Sequence, residues 1–430
     1  MRGASPRCRW QRSRRRRRSQ PGATAASRLG AVPAKRALSA MWRSSMLPAV
    51  ERSEPGMRGG GGATRRMAIL TSGGDAPGMN AAIRAATLLA LAEGWEVFGV
   101  SHGFRGLVDG RFAPLSPADV GPIVRRGGTI LGSARCKAFF DRAARDQARA
   151  RLADAGIEAV LVIGGNGSLA GANALADPRE AGPSGVRVMG VPASIDNDIG
   201  FTGTCIGVDT AMNTIVEACD KISDTADAHD RTFLVEVMGR HSGYLAMTSA
   251  IAAGADAVLF PEADKSEDDI VEMVVRTVRK VRARVGRTRR VVVVKAEGVP
   301  VPVARLKERV DARLREEFDT DPETSETRVT ILGHVVRGGR PSAFDRLLGS
   351  RLAHVATRAL LDGHTRRMAA WVPPVAPPSE VAIKSPVDPY CWLVELGAVL
   401  VETDRLNART SPLVEWRTRV FDQLESVLSS

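Results

Sequence analysis

One serine and two aspartates stand at alternate positions just after a predicted buried strand. The segment Pro192–Asp198 follows the strand that ends at Val191, and it contains Ser194, Asp196 and Asp198. In an extended chain, residues two apart project to the same side, so these three side chains would face one ligand. A carboxylate in such a place can accept a proton from a hydroxyl group, and carboxylates also bind Mg²⁺. The competing interpretation is a turn in which Asp and Asn side chains bond to the backbone.

Two glycine-rich segments are the next candidates for chemistry. Leu70–Asn80 contains Gly73 and Gly74, and Ile163–Ser168 reads Ile-Gly-Gly-Asn-Gly-Ser. Each joins a predicted strand to a predicted helix, where backbone amides and the positive end of the helix can hold a phosphate group. The sequence contains neither the nucleotide-binding pattern G-x-x-x-x-G-K-[ST] nor the dinucleotide pattern G-x-G-x-x-G. The paired loops therefore favour phosphate binding of another kind.

Arginine residues lie at the ends of several predicted strands, often beside glycine. They are Arg135, Arg231, Arg240, Arg328 and Arg337. The planar guanidinium group matches the geometry of phosphate oxygens. A single surface arginine is usually only solvated, but five of them with an acidic pair and two glycine loops predict a site for a nucleotide and a phosphorylated substrate. His334, close to Arg337 in sequence, is expected to contact ligand.

Short runs that are apolar at every position alternate with helical segments and would position these residues. Such runs are typical of parallel strands covered on both faces by helices, which gives a doubly wound α/β fold. In these folds, ligands bind beyond the carboxyl ends of the strands. A helix is predicted from Met79 to Ala92. The predicted strands are 68–71, 96–100, 159–163, 186–191, 233–237, 257–260, 291–294 and 329–332.

The positive charge of the chain is concentrated at its beginning. Residues 1–66 contain 17 of the 61 Lys and Arg but two of the 48 Asp and Glu, which leaves 44 basic against 46 acidic residues in 67–430. The run Arg14–Arg18 and the absence of any helical or strand period predict a disordered basic tail. It has three interpretations: an arm for nucleic acid or anionic surfaces, a targeting peptide, or an extension that is not translated or has no function. The third is favoured, so nucleic acid is not an expected partner.

The remaining composition is typical of a cytoplasmic protein. The five cysteines show no C-x-x-C pattern and no pairing with histidine, which suits free thiols in a reducing compartment. No apolar stretch is long enough to span a bilayer, so no membrane partner is expected.

Together the ordered blocks resemble the 6-phosphofructokinase family in its bacterial, ATP-dependent form, across nearly all of 67–430. The matching blocks are Leu70–Ala82, Gly127–Arg135, Ile195–Ile199, Val235–Arg240 and Leu332–Gly339. The resemblance implies two similar doubly wound domains with mostly parallel sheets and an active site in the cleft between them. It implies a nucleotide-binding domain of 67–206 plus about 335–385, and a fructose 6-phosphate-binding domain of 207–334 plus about 386–430. It also implies a homo-oligomer, a tetramer or a dimer, with shared active sites.

The resemblance assigns roles to individual residues. Asp196 would be the base that faces the sugar 1-hydroxyl, while Arg135 and Arg240 would neutralise the migrating phosphoryl group. Residues implied to bind the nucleotide are Gly74, Arg135, Cys136, Gly165, Asn166, Gly167 and Ser168. Residues implied to bind fructose 6-phosphate are Ser194, Ile195, Asp196, Met238, Gly239, Arg240, Glu297, His334 and Arg337, with Arg231 and Arg328 reaching from a neighbouring subunit.

Two departures from the family pattern bear on the reaction. Asn166 stands where the family usually has an aspartate that contacts Mg²⁺, which puts the metal ligand in doubt; compensation by Asp198 is a hypothesis. Ser194 replaces a common threonine and keeps the hydroxyl group. Pyrophosphate-using members tend to carry Asp at the position of Gly167 and Lys at that of Ala193, so the small residues here favour ATP as the donor.

Three other functions remain open from the sequence. The nearest is the same reaction with pyrophosphate as the donor. A second is a catalytically weak regulatory paralogue that binds sugar phosphate; the presence of Asn166 in place of the usual aspartate would be the sequence signal for it. A third, a lipid or NAD kinase, shares glycine and acid loops but is expected to lack the blocks around Arg240 and Arg337.

Overall fold

The computed structural model describes residues 64–182, 185–283, 290–318 and 326–428. The predicted disorder of the basic tail falls almost wholly on residues outside these ranges. Its predicted end at residue 66 is wrong, because the first strand begins at Arg66. The guanidinium group of Arg65 pairs with Glu158 at 2.6 Å and that of Arg66 pairs with Glu96 at 2.7 Å. These ion pairs anchor both arginines to the folded part.

The first domain is built on an eight-stranded sheet. Its strand order is β11-β12-β10-β5-β4-β1-β2-β3, and the five strands β10, β5, β4, β1 and β2 run parallel. The outer strands β3, β12 and β11 pair antiparallel with their neighbours. The bounds are β1 Arg66–Ser72, β2 Glu96–Val100, β3 Phe112–Pro114, β4 Ala159–Gly164, β5 Arg187–Pro192, β10 Arg367–Trp371, β11 Ala382–Lys384 and β12 Cys391–Glu395.

The second domain has a four-stranded, fully parallel sheet in the order β7-β8-β6-β9. Its bounds are β6 Thr232–Val237, β7 Ala257–Leu259, β8 Val291–Ala296 and β9 Arg328–Ile331. Strand β8 is buried at all six positions, as expected for a central strand with helices on both faces. One of the six is Lys295, whose Nζ lies 2.8 Å from the carboxylate of Glu236 on β6. A buried ammonium group needs such a partner.

Helices cover both sheets. They are α1 Met79–Ala92, α2 Gly103–Asp109, α3 Pro117–Val120, α4 Arg142–Asp154, α5 Asn166–Leu175, α6 Pro178–Ala181, α7 Val208–Ala228, α8 Tyr244–Ala252, α9 Glu267–Arg282, α10 Val303–Phe318, α11 Ala343–Leu361, α12 Leu396–Asn407 and α13 Pro412–Leu428. Helix α9 shows why the sequence folds locally as it does. Ser266 caps its first turn, which is acidic, while its last turn is basic, in agreement with the helix dipole. Among the helices of the described segments, none combines the length and apolar content needed to cross a bilayer.

The prediction of a doubly wound α/β fold is confirmed. Every predicted strand and the helix Met79–Ala92 are present, with ends that agree to within two residues. The predicted domain limit near residue 385 is wrong, because β12 lies beyond it and still pairs with β10 in the first sheet. Strands β3, β10, β11 and β12 were not predicted; all lie in the outer part of the eight-stranded sheet.

Candidate active site

The order of the first sheet places a crevice between β1 and β4. The chain leaves β1 toward one side of the sheet and β4 toward the other, and ligands bind at such a point of reversal. The register pairs Ser72 with Gly164 and Gly164 with Pro192, so three strands end at the same level. Both glycine loops and the segment after β5 therefore meet at one edge, as the sequence predicts.

Two glycines of these loops, Gly73 and Gly164, are required by shape. Gly73 has φ +87°, a backbone conformation that other residues rarely adopt. A Cβ at Gly164 would lie 2.4 Å from the carbonyl oxygen of Ser72, so the loops after β1 and β4 could not approach each other with a larger residue there. Helix α5 then begins at Asn166 and points its amino end at the crevice. An anion is favoured at that position.

A pocket of about 460 Å³ fills this crevice. All seven residues that the resemblance assigned to the nucleotide line it: Gly74, Arg135, Cys136, Gly165, Asn166, Gly167 and Ser168. Its apolar side is formed by Phe104, Phe139 and Phe140, which the sequence analysis did not single out. Phe139 stacks on Phe104, whereas the Phe140 side chain is 71% exposed. The adjacent pair Phe139-Phe140, just after the Arg135 block, was the available signal for these residues.

The segment Ser194–Asp198 forms a turn and is not extended, so the prediction of alternating side chains is wrong and the competing interpretation, a turn with a side chain bonded to the backbone, is confirmed. Asn197 adopts a left-handed conformation with φ +49°, and its buried side chain closes the turn. Its Nδ2 donates to the carbonyl of Gly203 at 3.1 Å, and its Oδ1 accepts from the amide of Cys205 at 2.9 Å. The hydroxyl of Ser194 donates to Asp198 at 2.7 Å, so those two side chains still share one side.

Asp196 has the properties of a general base. Its Oδ1 is buried and has no hydrogen-bond partner within the described part of the chain. Burial, with smaller contributions from the charges of Asp198 and Glu297, raises the pKa of Asp196 to about 6, although Arg337 and Arg240 act in the opposite direction. A carboxylate with a pKa nearer neutrality is ionised at pH 7 yet basic enough to take a proton.

The second domain contributes arginines from the carboxyl edge of its sheet. Arg240 follows β6 and is exposed, and Glu297 directly follows β8. Arg337 ends a short 3₁₀ helix, Gly333–Arg337, and its Nη1 donates to the carbonyl of Asp75 at 3.3 Å. The charges of Arg240, Glu297 and Arg337 all influence the pKa of Asp196. The structure therefore brings both domains together around this carboxylate.

The other predicted substrate residues, apart from Arg231 and Arg328, fall into two groups. Ser194, Met238, Gly239 and His334 lie in the loops just described, with His334 exposed and Met238 buried. The Ile195 side chain is fully buried and belongs to the core.

Arg231 and Arg328 lie at the opposite edge of the second sheet. Arg231 directly precedes β6, and Arg328 is the first residue of β9. Strand β6 has six residues and so separates Arg231 from the carboxyl edge by about 20 Å. Arg328 pairs with Glu326 at 2.5 Å. One chain therefore does not bring these two arginines to Asp196.

The described residues contain no group of three or more His, Cys, Asp or Glu side chains that could hold a metal ion. The hydrogen-bonded pair Ser194–Asp198 does lie beside the nucleotide loop, since a Cβ at Gly165 would be 3.8 Å from that of Ser194. Asp196, with its unpartnered oxygen, belongs to the same turn. Mg²⁺ commonly takes one or two carboxylates together with phosphate oxygens of a substrate. The residues present fit that mode of binding.

A second cavity, of about 230 Å³, lies in the second domain and contains none of the predicted site residues. Its walls are mainly apolar and come from β7, the start of α9 and the side chains of Val299, Thr418 and Phe421.

Two α/β domains that present glycine loops at a helix start, an acid and arginines to one cleft are the arrangement expected of a protein that acts on phosphorylated ligands. Residues 66–360 match the family model described as phosphofructokinase. The chain is 44% identical over 309 residues, 71% of its length and 89% of the relative, to the ATP-dependent 6-phosphofructokinase of Thermotoga neapolitana. The chain belongs to the phosphofructokinase family.

Solved structures show the same fold. The Pichia pastoris phosphofructokinase in its T-state is similar with a TM-score of 0.72 and 30% identity over 84% of this chain. This chain spans 42% of the length of that protein. A pyrophosphate-dependent phosphofructokinase from Marinobacter aquaeolei is 20% identical with a TM-score of 0.64, over 78% of this chain and 83% of its own, a likeness of fold alone.

Proposed function

We propose that this chain transfers the γ-phosphoryl group of ATP to the 1-hydroxyl of fructose 6-phosphate, giving fructose 1,6-bisphosphate and ADP. The observation that carries the proposal is the unpartnered, buried oxygen of Asp196, in the turn that begins at Ser194 next to the Gly165 loop of the pocket. In phosphoryl transfer, the enzyme contributes mainly positioning and charge neutralisation. The cleft supplies both.

Each part of the cleft has a role in this reaction. The glycine loops and the start of α5 hold the phosphates of ATP, and the phenylalanine wall of the pocket receives the rest of the nucleotide. Asp196 takes the proton of the sugar hydroxyl as the new bond to phosphorus forms. Arg135 and Arg240, which both have exposed side chains, stabilise the negative charge on the migrating group.

Magnesium is proposed to arrive with ATP. Asp198 and the neutral oxygen of Asn166 would hold it, and it would neutralise charge on the phosphate oxygens. Ser194 fixes the orientation of the Asp198 carboxylate through the 2.7 Å hydrogen bond.

The sugar phosphate is proposed to lie against the second domain, held by Glu297, His334, Arg337 and the loop Met238–Arg240. Arg231 and Arg328 would serve a neighbouring subunit, since they lie at the opposite edge of their own sheet. Strand β9 is an edge strand with Ile331 61% exposed, and nearby Val335 is 66% exposed. A homo-oligomer that covers this edge would complete the shared sites.

The domain roles follow the sequence prediction with two changes in the limits. The nucleotide-binding domain is proposed to comprise 66–206 and a returning segment that includes β10 to β12, and the sugar-phosphate-binding domain to centre on 207–334. The reaction is placed in the cytoplasm, in agreement with the free thiols of the four described cysteines.

Replacing Gly74 with alanine is expected to weaken sugar-phosphate binding. A Cβ at Gly74 would lie 2.6 Å from Nη1 of Arg337 and would push that guanidinium group away. Loss of one charge-assisted contact corresponds to a rise of about tenfold in KM for fructose 6-phosphate. Gly121→Ala is the matched control, because a Cβ there meets nothing within 4 Å. An unchanged KM in Gly74→Ala would contradict the role of Arg337.

The proposed function is tested by steady-state assays of fructose 1,6-bisphosphate formation, with ATP and with pyrophosphate in parallel. In the presence of Mg²⁺ and fructose 6-phosphate, we expect activity with ATP and none with pyrophosphate. Activity with pyrophosphate instead would overturn the choice of donor. A folded protein that binds fructose 6-phosphate but is inactive with both donors would be a sugar-phosphate sensor.

A further inference from the structure

A guanidinium group from the C-terminal helix lies behind the catalytic turn. Arg417 is on α13, beyond the residues 66–360 that match the family model. Its Nη2 donates to the backbone carbonyl of Asn197 at 3.3 Å. Its guanidinium group also lies 4.8 Å from the centre of the Tyr244 ring, a cation–π contact. The two contacts lie in different domains.

The first contact acts on the peptide group that joins Asn197 to Asp198, within the turn that carries both aspartates. Asn197 has a left-handed conformation, which asparagine adopts more readily than most residues, and is fixed through its side chain by Gly203 and Cys205. The side-chain bonds hold the far side of the turn, and Arg417 holds its backbone carbonyl. A rotation of this peptide would move both carboxylates.

The second contact acts on the loop that carries Arg240. Tyr244 begins α8, four residues after Arg240, and the preceding amide of Gly243 donates to both carboxylate oxygens of Glu262 at 2.8 and 2.9 Å. Burial lowers the pKa of Arg417, and the charges of Glu262 and Asp198 act in the opposite direction. The arginine is therefore held by charged and aromatic groups from both sides of the cleft.

We propose that Arg417 is a positioning residue that fixes the turn of Asp196 relative to the loop of Arg240. The base and one of the charge-neutralising arginines belong to different domains, so their relative position depends on contacts between those domains. Arg417 makes such a contact from behind both loops. This role rests on the proposed function, because it presumes that Asp196 and Arg240 act on the same transferred group.

The test is Arg417→Met in the full chain, which keeps the bulk of the side chain and removes its charge and donors. We expect kcat with ATP and fructose 6-phosphate to fall about 10- to 100-fold, since small misplacements of catalytic groups have effects of that size. KM for ATP is expected to stay within about twofold, because the nucleotide pocket is formed elsewhere. Arg417→Lys, which keeps the charge and one donor, is expected to recover part of the lost kcat.

The matched control is Arg419→Met on the same helix. Arg419 pairs with Glu415 on the surface, its side chain 65% exposed, and has no contact with either loop among the described residues. It should retain the kcat of the unmodified protein. A full kcat in Arg417→Met would overturn the proposal, as would equal losses in the Met and Lys variants accompanied by a weaker KM for ATP, which would indicate a general structural role.

Two results separate this proposal from the proposed function. If the unmodified chain does not phosphorylate fructose 6-phosphate with ATP, the function fails before any variant is compared. If it does, and Arg417→Met loses kcat while Asp196→Asn does not, the assignment of the base fails and the positioning of that base by Arg417 fails with it. Should Arg417→Met not fold, the test uses Arg417→Lys: a lower kcat with an unchanged KM for ATP supports the proposal, and a full kcat overturns it.

Discussion

Replacing Asp196 with asparagine is expected to lower kcat for ATP-dependent phosphorylation of fructose 6-phosphate by about 10²- to 10⁴-fold, the range for loss of a general base. Asparagine has nearly the same shape, so the turn should keep its geometry. KM for ATP should change little, because Asp196 is not part of the pocket wall. The measurement is steady-state kinetics with both substrates varied.

The same substitution is expected to stabilise the fold at neutral pH. Burial raises the pKa of Asp196 from 3.8 to about 6, so ionisation of this group opposes folding. This loss of folding free energy is absent below the unfolded-state pKa of 3.8 and grows as the pH rises toward 6. It reaches its full size above the folded-state pKa of about 6. Removing it is expected to raise the free energy of unfolding at pH 7–8 by on the order of 2–3 kcal/mol. Denaturant unfolding of both proteins checks this.

The raised pKa also predicts how activity depends on pH. Only the ionised carboxylate can accept the proton, so kcat should fall as the pH drops below about 6. Asp196→Asn should lose this acidic limb. Asp220→Asn, at an exposed position of α7, is the control and should match the unmodified protein in kcat and pH profile. A variant at position 196 with undiminished kcat would rule out the carboxylate as the base.

The sequence was sufficient to predict features that depend on short segments. Apolar runs predicted the parallel strands, because every side chain of a strand covered on both faces is buried. The two glycine loops and Arg135 were placed correctly around one pocket, since the carboxyl ends of adjacent parallel strands meet at one edge. Strands β10 to β12 were missed because they are short and only partly buried, which leaves a weak strand signal in the sequence.

Features that depend on particular side-chain contacts could not be decided from the sequence. The side chain of Asn197 bonds to Gly203 and Cys205, and these bonds close a turn where the pattern of alternate polar residues suggested an extended chain. Arg417 is one of several charged residues on an amphipathic helix. Nothing in its spacing distinguishes it from Arg419, and its contacts with Asn197 and Tyr244 exist in the folded chain alone.

The second prediction with a large expected effect concerns the phosphoryl donor: the substitution Gly167→Asp is expected to impair the use of ATP. Gly167 is exposed, lines the pocket and lies in the first turn of α5, where a Cβ would meet nothing within 4 Å. An aspartate therefore fits, and near the amino end of a helix it should raise stability by about 0.3–1 kcal/mol. Its charge would nevertheless face the phosphates of ATP. Repulsion of about 4 kcal/mol at 4 Å in a partly screened site predicts a fall in kcat/KM for ATP of about 100-fold or more.

Gly167→Asn separates charge from size in this experiment. Asparagine has the shape of aspartate without its charge, so it should keep kcat/KM for ATP within about fivefold of the unmodified protein. Equal losses in the two variants would mean that steric crowding excludes the nucleotide. Full activity in Gly167→Asp would mean that the phosphates do not pass this position, and the placement of ATP along the start of α5 would be wrong. A loss confined to aspartate, in a protein that is no less stable to denaturant, ties the absence of negative charge at position 167 to the use of ATP, since the added charge is then the one property that the pocket does not accept.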